Sequence, residues 1–204
     1  MVIRNSFSPV AYVALGDSTG VGVGAVHHGG YPARLLARIE KGRPGSRLVN
    51  LCVSGAATDD VLRDQVGQVA AARPALITLG IGINDLNRGY AGERFSDNYA
   101  EIAARLRKMA PGPIVVSNIP DISLAPAMPD SLRAMVRQRL RLFNDLIAEI
   151  ARRHGLALVD LYTASRELIP LHPEFFSDDG FHPSDAGYDF WTDAMWPAVE
   201  QALE

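Results

Sequence analysis

Val10-Ala-Tyr-Val-Ala-Leu15-Gly16-Asp17-Ser18 is the stretch on which the fold turns: an apolar run that stops on a glycine, an acid and a serine. A short continuous apolar run of this kind suits a strand buried on both faces, as in a parallel sheet. Residues 48–53, 75–79, 114–117 and 156–161 have the same character, and each run is followed by a loop and then a helical pattern. Strand, loop and helix in regular alternation predict a five-stranded parallel sheet with helices on both faces.

The helices can be placed by their end signals. Pro32 suits a first helical turn, and the helix it opens ends near Gly42. Thr58, followed by Asp59 and Asp60, has the chemistry of a cap with favourable first-turn charge. Ser96 and Asp97 precede Tyr99, Ile102, Leu106 and Met109, which fall on one helical face. The longest helix is expected over residues 131–154, capped by Asp130 and stopped by Gly155. Its apolar stripe is Leu132, Val136, Leu140, Phe143, Ile147 and Ile150. Pro183 and Ser184 open a last helix carrying Trp191, Met195 and Trp196, which Pro197 is expected to kink or end.

The 204 residues, 48% hydrophobic and 21% charged, fit one globular domain spanning 1–204 with a sizeable core. A formal net charge of -3 offers no basic field for nucleic acid. Arg133, Arg137, Arg139 and Arg141 cluster locally, and the reading for them is a solvated helix face. The single cysteine, Cys52, excludes an internal disulfide and reads as a small buried side chain. No segment approaches the roughly 20 apolar residues of a membrane span. Residues 1–7 lack the apolar stretch of a signal peptide, so the expected location is cytoplasmic. Oligomeric state is not legible in the chain.

Chemistry-bearing residues sit just past the strand-like runs. Ser18 follows the first, Ser54-Gly55 the second and Gly82-Ile-Asn84-Asp85 the third, while Asp179-Gly-Phe-His182-Pro183 lies in the long segment after the fifth. In open α/β sheets, ligands bind outside the carboxyl ends of the strands, so all four blocks emerge at one edge. A serine nucleophile needs a base, an orienter for that base and donors for the oxyanion it creates. One candidate for each role is present.

These blocks resemble those of the SGNH hydrolases, the GDSL-type esterase and lipase superfamily, over nearly the whole chain. Gly16-Asp17-Ser18 matches the nucleophile block, Gly55 the second, Gly82-x-Asn84-Asp85 the third and Asp179-x-x-His182-Pro183 the last. Thr19 departs from the leucine in the family name, which bears on subtype. The resemblance implies a flavodoxin-like three-layer α/β sandwich and no cofactor or metal. It also implies that Ser18 attacks an ester carbonyl, that His182 takes its proton and that Asp179 holds the imidazole. The oxyanion would be met by the Ser18 backbone N–H, the Gly55 backbone N–H and the Asn84 side-chain amide. An acyl-enzyme hydrolysed by water under His182 would complete the cycle. The expected partner is a small or exposed ester.

Other readings of the same residues compete. Asp17 reads as a loop-fixing acceptor, and Asp85 as the residue that sets the loop aiming the Asn84 amide. His172-Pro173 is a decoy for His182, but Ile169 stands where His182 has Asp179, so it lacks that carboxylate. His27 and His28 read as exposed loop residues, and His154 as a partner of a helix dipole. Asp178, Asp179, His172 and His182 could be read as metal ligands, without a compact pair to support it. Gly20-x-Gly22-x-x-Ala25 could belong to a nucleotide-binding module, though no acid closes the second strand and a flexible loop is the alternative. A silent binding protein on the same fold is the third class. Residues 120–129 are expected to flank the cleft, with Met128 or Leu124 lining an acyl pocket or merely packing the loop. Acetylated sugars, thioesters, lysophospholipids and short-chain esters all fit.

Overall fold

A computed structural model describes residues 8–110 and 112–204. The N-terminal heptapeptide read above for a signal lies outside the described residues. In chain order, the regular elements begin with β1 (Ala11–Gly16), α1 (Ser18–Val21), α2 (Tyr31–Gly42) and β2 (Arg47–Asn50). A run of short helical turns follows, opening with α3 (Thr58–Asp60) and closing with α4 (Val69–Ala72). Then come β3 (Leu76–Gly80), α5 (Ile83–Asn87), α6 (Gly92–Met109), β4 (Ile114–Ser117), α7 (Asp130–His154), β5 (Ala157–Val159), α8 (Leu161–Leu168) and α9 (Asp185–Ala202).

All strand pairs are parallel, and the five-stranded sheet has the order β2-β1-β3-β4-β5. Strand side chains alternate between two faces. Val13, Leu15, Ile77, Leu79, Ile114 and Val116 pack against α6 and α7. Tyr12, Ala14, Leu76 and Val115 pack against α2 and α9. The result is three layers with two apolar cores, as the alternation of runs predicts. The strand order reverses between β1 and β3, where a ligand crevice is expected beyond the carboxyl ends. Ser18 follows one of those strands and Asn84 the other.

Several boundaries differ from the sequence reading. The strand expected over 48–53 stops at Asn50, whose amide donates to the Gly20 carbonyl (2.8 Å) and whose Oδ1 accepts from Cys52 N (3.1 Å). The strand expected over 156–161 ends at Val159, because Asp160 caps α8 through Thr163 N. Both lie at sheet edges and are partly exposed. The cap of α3 is Ala57, and Thr58 instead turns its hydroxyl to Asp85. Helix α6 starts at Gly92, ahead of the expected Ser96, because its extra turn buries Phe95 stacked on Phe143 at 4.2 Å. Asp130 is the first residue of α7 rather than its cap, which is Pro129; Gly155 ends the helix in the left-handed region. Helix α9 runs through Pro197 to Ala202, so the proline does not end it.

The arginines of α7 also depart from the solvated-face reading. Arg133 donates to the Ser123 carbonyl (2.5 Å), Arg137 to Ser123 Oγ (3.2 Å) and Arg139 to the Tyr90 carbonyl (2.7 Å). They tie α7 to the loops at the active edge of the sheet, while Arg141 is exposed.

Candidate active site

Strand β1 delivers Ser18 through a turn that the sequence builds locally. Asp17 caps α1 and accepts from Thr19 N (2.9 Å) and Thr19 Oγ1 (2.8 Å), so the threonine that replaces the eponymous leucine has a structural use. The end of β1 is held by Gln65, which accepts from Gly16 N (2.9 Å) and donates to Gly16 O (2.8 Å). No sequence signal marked Gln65. Burial pushes the Asp17 carboxyl up to about 6, against the opposing bonds from Thr19. Gly20 leaves room for Cys52, whose sulfur would lie 2.2 Å from any Cβ there. Burial raises the Cys52 thiol well above its usual range.

The long segment after α8 brings the imidazole to Ser18. His182 Nε2 lies 3.1 Å from Ser18 Oγ, and His182 Nδ1 lies 2.6 Å from Asp179 Oδ2. A carboxylate can only accept, so Nδ1 carries the proton and Nε2 faces the serine hydroxyl as acceptor. Asp179 Oδ1 accepts from Ser177 Oγ (2.9 Å) and from the backbone amides of Phe181 and His182 (both 2.8 Å). Partial desolvation opposes its ionisation, but His182 and these donors outweigh it and hold the carboxyl well below the usual range. The glycine-rich loop after α1 is packed rather than loose: a Cβ on Gly24, at φ +91°, would sit 2.6 Å from the Pro183 carbonyl.

Gly55 and Asn84 belong to a second cluster. Gly55 has φ +78°, a left-handed conformation that favours glycine, and an added Cβ would meet open space. Its carbonyl accepts from Arg88 Nη2 (2.8 Å), and Arg88 Nη1 pairs with Asp60 at 2.9 Å. Asn84 Nδ2 donates to the Ala56 carbonyl (2.8 Å), which engages one of its two amide hydrogens. Asp85 is buried and accepts from Thr58 N (3.1 Å) and from the Thr58 hydroxyl, joining the second and third blocks. Burial raises its carboxyl, with the Thr58 bonds opposing. Ser18 and His182 line one cleft, and Gly55 and Arg88 line a separate depression. Arg88 was not foreseen.

The histidine decoy is resolved differently from the sequence reading. His172 does have a carboxylate partner, Glu174 Oε1 at 2.8 Å from Nδ1, two residues downstream where the upstream comparison did not look. It stacks on Phe175 at 4.8 Å, and among the described residues only His182 has its ring on Ser18. His27 and His28 are exposed, and His154 sits in the last turn of α7. Met128 and Leu124 do not line the cleft. Its walls come from Ile119, just before the expected segment, from Pro120 and Ile122 at the start of that segment, and from Phe181, Phe190 and Trp191. Of these aromatic residues, the sequence reading had singled out only Trp191, as part of the last helix.

The chain belongs to the GDSL-like lipase/acylhydrolase family, whose model matches residues 14–190. It is similar to the GDSL-like esterase Rv1075c of Mycobacterium tuberculosis, at 27% identity over 202 residues. That match takes in 95% of this chain and 63% of the relative, so the chain spans less than two thirds of that protein's length. Esterase TesA of Pseudomonas aeruginosa is 25% identical over 192 residues, covering 94% of this chain and 88% of TesA. Among solved structures, LAE5, an α/β hydrolase enzyme from the metagenome of Lake Arreo, Spain, has a TM-score of 0.74. It is 26% identical, with 95% of each chain covered. These names agree with the ester-hydrolase expectation. Among the described residues, no helix is long and apolar enough to cross a membrane.

Proposed function

We propose that the chain hydrolyses carboxylic esters by acyl transfer to Ser18. The observation that carries this reading is the chain of contacts from Ser18 Oγ through His182 to Asp179 at 3.1 and 2.6 Å. His182 Nε2 takes the hydroxyl proton as Oγ bonds to the ester carbonyl carbon. The imidazolium then gives that proton to the departing alkoxide as the carbon–oxygen bond breaks. Water, deprotonated by the same nitrogen, attacks the acyl-enzyme and releases the acid. Asp179 stays ionised throughout and stabilises the imidazolium, which its depressed carboxyl supports.

The oxyanion is assigned to the Ser18 and Gly55 backbone N–H groups and the free hydrogen of the Asn84 amide. Arg88 supports this by bonding the Gly55 carbonyl, which limits rotation of the adjoining peptide. The cleft that Ser18 and His182 line has isoleucine and phenylalanine side chains among its walls, which suits an acyl group.

The test is Ser18→Ala together with a serine-directed fluorophosphonate. The purified protein should hydrolyse 4-nitrophenyl acetate and take up one phosphonyl group at Ser18. The variant should lose turnover by on the order of a millionfold and take up none. Undiminished hydrolysis by a folded, host-esterase-free Ser18→Ala protein would end the serine mechanism.

A further inference from the structure

Asp179 is placed differently from the other groups that serve Ser18. Its side chain is 45% exposed, whereas that of His182 is 23% exposed and Ser18 is buried. A carboxylate turns about its last bond in a broad, roughly two-fold well. Packing therefore does not decide which oxygen faces His182, or at what angle; hydrogen bonds must. Among the described residues Oδ2 meets only His182 Nδ1, while Oδ1 accepts from three donors. Two are the amides of Phe181 and His182, on the chain that follows Asp179. The third is the Ser177 hydroxyl, from the chain that precedes it.

Backbone contacts put Ser177 in reach. Ser177 N donates to the His182 carbonyl and Gly180 N to the Ser177 carbonyl, both at 2.9 Å, and Phe176 forms an antiparallel bridge with Pro183. Ser177 thus stands opposite His182 in a narrow turn that carries Asp179. The loop after α1 closes over the pair: a Cβ on Gly24 would sit 2.8 Å from Ser177 Oγ and 3.0 Å from His182 Cβ. That loop is itself tethered. Asp185 accepts from Val26 N (3.2 Å) and His27 N (3.1 Å), and Arg34 donates to the His27 (2.8 Å) and Gly29 (3.1 Å) carbonyls. A carboxylate only accepts, so the Ser177 hydroxyl is the donor to Asp179.

We infer that Ser177 is a positioning residue for ester hydrolysis: its hydroxyl, with the amides of Phe181 and His182, locks the Asp179 carboxylate so that Oδ2 is the oxygen on His182 Nδ1. The inference rests on the ester-hydrolase reading of Ser18 and adds a further side chain to it. A hydrogen bond to a charged acceptor is roughly twice as strong as a neutral one. Water can take the place of a lost donor at an exposed carboxylate, but it brings no fixed direction. Misplacing a catalytic group by about 1 Å can cost on the order of a hundredfold in rate. Losing one donor of three leaves the others in place, so the expected loss is smaller.

The experiment is a double-mutant cycle between Ser177→Ala and Asp179→Ala, read as kcat and kcat/KM on 4-nitrophenyl acetate above the Ser18→Ala background. Truncation to alanine keeps both backbone contacts of Ser177, and circular dichroism with melting temperature establishes that each variant is folded. Alone, Ser177→Ala should lower kcat and kcat/KM together by about tenfold, the pattern of a contact that counts in the transition state. A triad lacking one member retains roughly a thousandfold or more over water, so the cycle can be completed. In the Asp179→Ala background, Ser177→Ala should change kcat by less than about twofold, because no carboxylate is left to hold. Damage of a general kind, to the cleft or to the oxyanion donors, would recur in both backgrounds. Equal losses in the two backgrounds overturn the inference, and so does wild-type kcat in Ser177→Ala. A folded Ser177→Thr protein keeps the hydroxyl and should recover most of the loss; impairment equal to that of alanine overturns the inference too. Those outcomes strike Ser177 alone, whereas turnover that survives Ser18→Ala would sink the ester-hydrolase reading itself.

Discussion

At the residue scale, the site separates groups that react from groups that aim them. Asn84 uses one amide hydrogen on the Ala56 carbonyl, and the proposed oxyanion role falls to the other. Asn84→Ala should lower kcat by roughly a hundred- to a thousandfold with a much smaller change in KM, because the amide is most needed when charge develops. Asn84→Asp should be at least as damaging, since a carboxylate would repel the oxyanion. Steady-state kinetics with melting temperatures decides this: full kcat in Asn84→Ala removes the residue from the mechanism. His182→Ala should abolish turnover, whereas His172→Ala should leave most of it, since His172 pairs with Glu174 and stacks on Phe175. The reverse pattern would show that the wrong base has been assigned. Arg88→Met should reduce kcat by about tenfold while Arg88→Lys retains more, if the Gly55 carbonyl contact orients the oxyanion donor.

At the element scale, long helices hold the loops that carry the chemistry. Buried Asn144 on α7 accepts from Ile119 N and donates to Ile119 O, both at 2.9 Å, and so fixes the cleft wall after β4. Asn144→Ala would strand both backbone groups. It should cost about 2–4 kcal/mol, a fall of roughly 5–15 °C in Tm by thermal denaturation. A Tm within a degree or two of wild type would show that the clamp is dispensable. Gln65 does the same for Gly16 at the end of β1. These clamps explain why α7 and the turns after β2 matter to a site they do not enter. The arginines of α7 act likewise, reaching back to carbonyls at the sheet's active edge.

At the scale of the whole molecule, buried acids set how stability follows pH. Burial raises the Asp17 carboxyl from 3.8 to about 6. A raised acid binds its proton more tightly in the folded state, so stability falls as pH rises between these values, by on the order of 3 kcal/mol. Asp179 has the opposite sign: its depressed carboxyl contributes stability above the unfolded value, and that contribution is lost as pH falls below it. Asp17→Asn should therefore flatten the decline of Tm between about pH 4 and 6 while leaving the loss at lower pH. A profile left unchanged by Asp17→Asn would mean that Asp17 ionises without penalty.

The alternation of apolar runs and helical patterns determined the sheet, because a strand buried on both faces must be apolar throughout and only a parallel α/β arrangement accommodates many such strands. The serine, histidine and aspartate could be nominated as candidates too, because Asp179 stands three residues before His182 and the blocks follow the first, second, third and fifth strand-like runs. The tertiary structure set the His182 ring on Ser18, the histidine that the Asp179 spacing had already favoured, although His172 also has a carboxylate within three residues. It alone identified Gln65, Arg88 and Asn144, whose partners are 25 to 49 residues away in the chain. It also showed that Phe181, Phe190 and Trp191 wall a cleft. An aromatic residue has the same one-letter signature whether it packs against protein or against substrate. The difference lies in what faces it, and that is set by contacts distant in sequence.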